Sequence, residues 1–283
     1  MNLANIKLVD LHNDAIVEMP AKSFKRYIAK AQKSGVRAIL MSVYTTEMPE
    51  PIKQIKEYKQ IIDDTNAVSK KTELLLHIED AWFVTEQNID ELIALKPYSV
   101  GLTWNADNAL AGGAFDDGHL TSLGKLVIEK LVANGIQVDL AHLNKQSFYA
   151  VAEVLTEKKQ KLLCTHACFS PVNLHSRNLT AKQIRTIVDS GGLVGMTFVG
   201  DFLTTKKHVT LEHVYSHIKY FIDNFGDDNL AIGTDFFGTE KLPHLLESYK
   251  GFPRLKKFLE KKGIAKDTLE KVFVSNAMSF LEK

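Results

Sequence analysis

Asn134-Gly135-Ile136-Gln137-Val138-Asp139-Leu140-Ala141-His142 reads as a helix stop followed by a short strand that ends in histidine. Upstream, Leu123–Asn134 repeats apolar residues at helical spacing, and Asn-Gly ends such a helix because glycine adopts left-handed backbone without a steric penalty. Downstream, Lys145–Glu157 again has helical periodicity, and Lys161–Thr165 is a second short apolar run. Helix, strand, helix, strand with few residues between them is the rhythm of parallel βα units.

The same alternation extends in both directions. Strand candidates are Ile6–Leu11, Ala38–Tyr44, Glu73–Ile78, Ser99–Thr103, Gln137–Ala141, Lys161–Thr165, Leu193–Phe198 and Leu230–Thr234. Most are continuous apolar runs, the pattern of a parallel strand covered on both faces. Amphipathic helices are expected between them, including Ala181–Ser190 and Leu211–Phe225. Gly191-Gly192 stops the first of these, and Thr180 with Gln183 makes a capping-box start. Eight β-then-α units in roughly 250 residues predict an α/β fold, a single (β/α)8 TIM-type barrel occupying residues 1–283 as one domain. Extra C-terminal helices are expected near Pro243–Lys262 and Lys266–Leu281. An open doubly wound sheet is the competing arrangement. No glycine fingerprint for a dinucleotide follows the first strand, and eight comparable units favour closure.

The 283 residues are 45% apolar and 24% charged, with 35 basic and 34 acidic side chains and a net charge of +1. That balance offers no handle for nucleic acid or an anionic membrane. Met1–Asn5 is not a basic segment leading into a long apolar run, and no stretch is long enough to span a bilayer, so a cytoplasmic protein is expected. The two cysteines, Cys164 and Cys168, are expected as free thiols.

Polar residues fall at the C-terminal ends of the strand candidates. Asp10-Leu11-His12-Asn13-Asp14 closes the first, His77-Ile78-Glu79-Asp80 the third, Val138-Asp139-Leu140-Ala141-His142 the fifth, Cys164-Thr165-His166 the sixth and Gly233-Thr234-Asp235 the eighth. In a (β/α)8 barrel these ends converge on one mouth, where active sites sit. His12 and Asp14 are two apart, so both can point the same way from an extended strand end. With Glu79, His142 and His166 they give three imidazoles and two carboxylates, a donor set suited to zinc. Five donors exceed one tetrahedral zinc and suit two divalent ions roughly 3.5 Å apart, with Glu79 as the bridge. A lone strand-end histidine is ordinarily structural, but a converging buried cluster with no metal would be costly. Asp10 and Asp139 are expected to hydrogen-bond the ligands or the strand ends. His208, His213 and His217 are expected on an exposed helix face or loop, and His119 and His244 in solvent. His77, His175 and Cys168 are candidates to line the mouth, and Cys164 is expected as a small buried hydrophobe.

These phrases resemble the membrane dipeptidase (renal dipeptidase) family of zinc peptidases. The resemblance rests on Asp10-Leu11-His12-Asn13-Asp14, Glu79, Val138–His142, Thr165-His166, Ser176-Arg177-Asn178-Leu179-Thr180 and Gly233–Gly238. Further agreement lies in Gly101-Leu102-Thr103, Gly192–Gly195 and near Asn276, so it runs along almost the whole chain. It implies a distorted (β/α)8 barrel with two zinc ions, His12 and Asp14 on one, His142 and His166 on the other, and Glu79 bridging. It also implies Arg177 as the binder of the substrate's terminal carboxylate and Asp235 as the catalytic acid/base. Where many relatives carry a substrate-contacting histidine, this chain has Trp104, whose indole offers one N–H or only a wall. The Gly-, Asn- and Asp-rich loop Asn105–Gly118 is a candidate lid, and no C-terminal apolar tail suggests lipid anchoring.

The expected activity is therefore hydrolysis of small dipeptides, including those with a C-terminal D-residue, by metal-hydroxide attack. A homodimer is expected from the resemblance alone. The same metal pair would also serve a lactone, a cyclic amide or a phosphoester, and a non-catalytic binding relative is the reading of a different class.

Overall fold

The computed structural model describes residues 7–46, 48–69 and 71–282. Met1–Asn5, and the expected start of the first strand at Ile6, lie outside the described residues. Eight parallel strands close into a barrel in sequence order: β1 Leu8–Asn13, β2 Val36–Tyr44, β3 Glu73–Glu79, β4 Ser99–Gly101, β5 Gln137–Asp139, β6 Leu163–Ala167, β7 Leu193–Met196 and β8 Leu230–Ile232. Asp10 of β1 pairs with Ile232 of β8 and seals the ring. Every residue of β1, β6, β7 and β8 is buried, because the barrel interior covers one face and helices cover the other. That is why these strands read as apolar runs without alternation.

The helices Lys145–Glu157 and Leu211–Phe225 match their expected bounds, and those at Ser122–Ala133 and Ala181–Asp189 match within a residue or so. The capping box of Thr180 and Gln183 is formed. Gly135 and Gly191, with φ of 72° and 66°, make the turns that return the chain to the next strand.

Four strands are shorter than the apolar runs suggest, ending at Gly101, Asp139, Met196 and Ile232 instead of Thr103, Ala141, Phe198 and Thr234. At two of these ends a buried carboxylate replaces the ladder. Asp139 Oδ1 accepts from Ala141 N (3.0 Å) and Thr165 N (2.9 Å), and Asp10 Oδ1 accepts from Thr234 N (2.8 Å). The chain is thereby freed to bend into the mouth while its N–H groups stay paired.

The C-terminal region differs from a pair of plain helices. Instead of one helix from Pro243, a 3-10 turn at Tyr249–Gly251 leads into a helix at Phe252–Lys261. Pro253 lies in that helix's first turn, where a missing N–H costs nothing, and a helix running through it would clash. The last helix is interrupted by a π segment at Lys271–Ser275, between Lys266–Glu270 and Asn276–Leu281. Asn276 Nδ2 there donates to Asp227 O (2.6 Å) and Leu230 O (2.8 Å), tying this helix to the start of β8.

Candidate active site

The strand ends bring all five predicted metal residues to one buried point. Glu79 Oε1 lies 2.9 Å from His142 Nε2, 3.6 Å from His166 Nε2 and 3.7 Å from His12 Nε2. His12 Nε2 is also 3.6 Å from Asp14 Oδ2 and 3.9 Å from Asp235 Oδ1. Two overlapping donor groups result, His12–Glu79–His166 and His12–Asp14–Asp235, with all ligand atoms of each within 4.8 Å of one another. His12 belongs to both. Asp235 therefore stands within reach of a cation as well as at the mouth.

The backbone is bent to make this happen. His142 and Asp235 both have positive φ, 66° and 59°, a conformation that costs a non-glycine residue roughly 1–2 kcal/mol. Asp235 N donates to His12 O (3.0 Å), so the eighth strand end is clamped onto the first. Such outliers concentrate where a side chain has to be aimed at a site.

Charge explains what the cluster wants. Burial opposes protonation of His12, yet the carboxylates of Asp14, Glu79 and Asp235 outweigh it and raise its pKa to about 10. A cage of carboxylates that favours an imidazolium favours a metal cation at the same place. Burial alone would raise Glu79, but His12 and His142 hold it below the ordinary carboxylate range. His142 is lowered to about 4, first by burial and then by Arg177, and His166 is held well below the ordinary imidazole range by burial and then by His12 and His142. Both thus present neutral rings, the form that binds metal. Burial, partly offset by His12, raises Asp235 to about 8. Buried His12 Nε2 and Asp14 Oδ2 have no hydrogen-bond partner among the described residues, as expected of atoms reserved for an ion. The donors present fit a divalent metal.

Around the donors lies a tier of hydrogen bonds that fixes their rings. Asp139 Oδ2 accepts from Thr165 Oγ1 (2.5 Å), and Thr165 Oγ1 contacts His166 Nδ1 (2.9 Å) and His12 Nδ1 (3.4 Å). Asp10 Oδ2 accepts from Thr234 Oγ1 (2.7 Å) and Tyr249 Oη (2.6 Å). Asn105 Oδ1 contacts His142 Nδ1 (3.0 Å), a role the sequence did not disclose. The contacts at Nδ1 of His12, His142 and His166 set the tautomer that leaves Nε2 free for a metal.

The donors open into a cavity of about 340 Å³ lined by Asp14, Tyr44, Glu79, Trp104, His142, His166, Phe202, Asp235 and Phe237, among others. That size suits a small ligand. Arg177 is buried behind His166. Its Nη2 lies 2.9 Å from His166 Nε2 and donates to His166 O at 3.4 Å, while its Nε has no partner among the described residues. Trp104 stacks near His142 (ring centroids 6.1 Å, 28°) and meets Tyr44 edge-on at 5.1 Å. Tyr44, Phe202 and Phe237 went unnoticed in the sequence because nothing local marks an aromatic residue as cavity-lining. A larger cavity of about 640 Å³, lined by Leu74, Tyr98 and Gly135 among others, lies at the opposite end of the barrel, away from these donors.

The sequence profile of membrane dipeptidases (peptidase family M19) matches residues 85–283. The chain belongs to the membrane dipeptidase family. Membership makes it a metallo-dipeptidase, a hydrolase of peptide bonds. An uncharacterised Klebsiella pneumoniae protein of the pqqA 5′ region is 32% identical over 223 residues, covering 74% of this chain and 81% of its own length. Dipeptidase ataJ of Aspergillus terreus is 25% identical over 166 residues, 58% of this chain and 40% of the fungal protein. Among solved structures, an amidohydrolase from Pseudomonas aeruginosa has a TM-score of 0.83 at 20% identity, covering 99% of this chain and 96% of its own. A metallo peptidase from Rhodobacter sphaeroides, liganded with a phosphinate mimic of the dipeptide L-Ala-D-Ala, has a TM-score of 0.82 at 19% identity, covering 98% and 99%. These structural likenesses are likenesses of fold. The matched stretch of this dipeptidase includes His142, His166, Arg177 and Asp235, whereas His12, Asp14 and Glu79 precede it and join the site through the barrel's closure.

Several other expectations are corrected in this dipeptidase. His217 is not on an exposed face. It is fully buried, accepts from Phe169 N (3.2 Å) and contacts Leu203 O (3.2 Å), because Leu211–Phe225 packs that side inward. His77 lies beneath the donors, its Nδ1 2.8 Å from Ser99 Oγ, and does not line the cavity. Cys168 is in the core with Sγ donating to Thr197 O (3.3 Å), and Cys164 is buried as expected. His175 packs against Phe202 outside the cavity lining. In the candidate lid after Trp104, Asn108 Nδ2 donates to Asp80 Oδ1 (3.0 Å) and Leu102 O (2.8 Å), and Gly113 bridges to Leu143. Among the described residues no helix is long and apolar enough to cross a membrane.

Proposed function

We propose that this metallo-dipeptidase works with two zinc ions and hydrolyses small dipeptides, those with a C-terminal D-residue included. The observation that carries this reading is Glu79 Oε1 set within 3.7 Å of three imidazole nitrogens. A carboxylate oxygen among three rings is the arrangement of a bridge. His12 and Asp14 would hold one ion and His142 and His166 the other. Bound there, the pair supplies Lewis acidity and brings the pKa of a water to about 7.

The chain's own groups do the rest. Asp235, at the edge of the cavity, receives the proton of the attacking water and hands it to the leaving amine. Arg177 pairs with the substrate's free carboxylate, and its unpartnered buried Nε supports that role. A fixed cation behind a small cavity favours dipeptides over longer chains. Trp104 and Tyr44 wall the side of the cavity near His142 and keep water from the reacting bond. The dipeptide mimic held by the Rhodobacter sphaeroides peptidase of the same fold supports a D-residue at the C-terminal position. Residues 1–283 acting as one barrel domain, a cytoplasmic setting and a homodimer belong to the same reading.

The test is amine release from L,L- and L,D-dipeptides by protein stripped of metal and reloaded with zinc. Zinc-dependent cleavage at two ions per chain is the expected result. No cleavage with two ions bound overturns the substrate assignment, and cleavage at full rate with one ion overturns the bridge.

A further inference from the structure

A second cavity, of about 500 Å³, adjoins the catalytic one, and Trp104 is a wall of both. Met48, Trp82 and Ala106 supply much of the rest of its lining. Among the described residues it carries two carboxylates: Asp80 accepts from Thr46 Oγ1 and Asn108 Nδ2, and Asp107 Oδ1 accepts from Gly113 N (2.9 Å). The indoles of Trp82 and Trp104 are 41% and 38% exposed. Two half-exposed indoles on one concavity are an apolar patch of the kind that marks a binding surface.

Topology says which end of a substrate this cavity faces. It is formed by the loops that follow β2, β3 and β4, carrying Thr46, Trp82 and Trp104. Arg177 sits in the loop that follows β6. In a closed eight-strand barrel β2 and β6 are four strands apart and face each other across the mouth. A dipeptide whose carboxylate lies at Arg177 therefore directs its N-terminal residue toward Tyr44 and Trp104.

We propose that Trp104 and the cavity behind it form the pocket for the N-terminal side chain, and that the preferred substrates are dipeptides with a large apolar or aromatic N-terminal residue. The inference rests on the dipeptidase reading given above, with the carboxylate at Arg177. A single N–H on Trp104 cannot replace a titratable imidazole, but a flat indole beside a second apolar cavity gives a side chain a surface to stack on and a space to enter.

The experiment compares kcat/KM of the zinc-loaded enzyme for Ala-Ala, Leu-Ala, Phe-Ala, Lys-Ala and Ala-Phe. Phe-Ala and Leu-Ala are expected to exceed Ala-Ala by roughly 10-fold or more, the range a hydrophobic pocket gives for added apolar groups. Trp104→Ala and Trp82→Ala should shrink that ratio, and Trp104→Phe should largely restore it. Equal values for Ala-Ala and Phe-Ala overturn the inference, as does a preference for Lys-Ala. A preference for Ala-Phe that Trp104→Ala removes overturns the orientation. If no dipeptide is cleaved, the dipeptidase reading fails, and the pocket is still read directly. The only two tryptophans of the chain, Trp82 and Trp104, both line this cavity, so indole fluorescence reports its occupation. Equal fluorescence titrations by Phe-Ala and Ala-Ala would then overturn the pocket itself.

Discussion

His142 Nε2 and His166 Nε2 stand 2.8 Å apart, both buried, with Glu79 Oε1 2.9 Å from the first and 3.6 Å from the second. Two unprotonated ring nitrogens at this distance repel each other, and a cation placed against both nitrogens and the carboxylate satisfies all three. His142→Ala or His166→Ala should therefore lower bound zinc from two ions per chain to about one and abolish most turnover. Metal analysis of the dialysed variants checks this. Two ions retained in both variants would show that these rings are not ligands.

Asp235 is the residue with two readings. Its Oδ1 is 3.9 Å from His12 Nε2, inside a group that can hold a cation, and it also lines the cavity where substrate reacts. Asp235→Asn keeps the shape and removes the ability to accept a proton. The expected outcome is full metal content with turnover lowered roughly 10²-fold or more. A variant that loses one ion would make Asp235 a ligand instead, and a fully active variant would remove it from the chemistry.

The carboxylates of Asp14, Glu79 and Asp235 outweigh burial and keep His12 charged up to a pKa of about 10. A metal on its Nε2 needs that proton gone. At pH 7 zinc uptake should then release about one proton from this site, and zinc affinity should rise with pH by about tenfold per unit until the group deprotonates unaided. The sign follows because protons and zinc compete for the same nitrogen, so fewer protons mean tighter zinc. Calorimetric zinc titrations at pH 7 in two buffers of different ionisation heat measure the number. Zero release would mean His12 is already neutral.

Arg177 is buried, with its Nε unpartnered among the described residues and its Nη2 against His166. Arg177→Lys retains a cation but loses the planar fork. The Michaelis constant for a dipeptide should rise roughly 10-fold or more, with a much smaller change for the corresponding dipeptide amide, which lacks the carboxylate. Equal effects on acid and amide would place Arg177 in support of His166 and not in contact with substrate.

The barrel was legible because its strands are buried on both faces and read as apolar runs, and the donors because each sits at such a run's end. Strand ends were less legible. Apolar residues such as Leu140, Ala141 and Phe198 continue the pattern after the ladder has stopped, and the stop at Asp139 depends on its carboxylate reaching Thr165 on the next strand. His217 misled for a related reason: a helix of mixed polarity does not announce which of its polar residues meets buried backbone such as Phe169 N. Tyr44, at the end of β2, and Phe202, in the short helix Gly200–Leu203, meet at the cavity from elements far apart in sequence, and periodicity carries nothing about that.

Two glycines in the quoted motifs carry a steric requirement. A Cβ on Gly195 of β7 would lie 1.9 Å from Thr165 O, and one on Gly233, just after β8, would lie 1.9 Å from the same oxygen. Real Cβ atoms do not approach a carbonyl so closely, and this oxygen belongs to backbone that cannot swing aside. Thr165 contacts the Nδ1 atoms of both His166 and His12, so displacing it moves the donors as well as the strand. Gly233→Ala should cost about 1–3 kcal/mol of stability, the usual range for overpacking, and should weaken zinc binding in the protein that still folds. Thermal unfolding of the metal-free and zinc-loaded forms separates the two effects. The melting temperature of both should fall, and the gap between them should narrow. A lower melting temperature with an unchanged gap would confine the glycine to packing, and an unchanged temperature in both forms would mean that the strands separate here without cost.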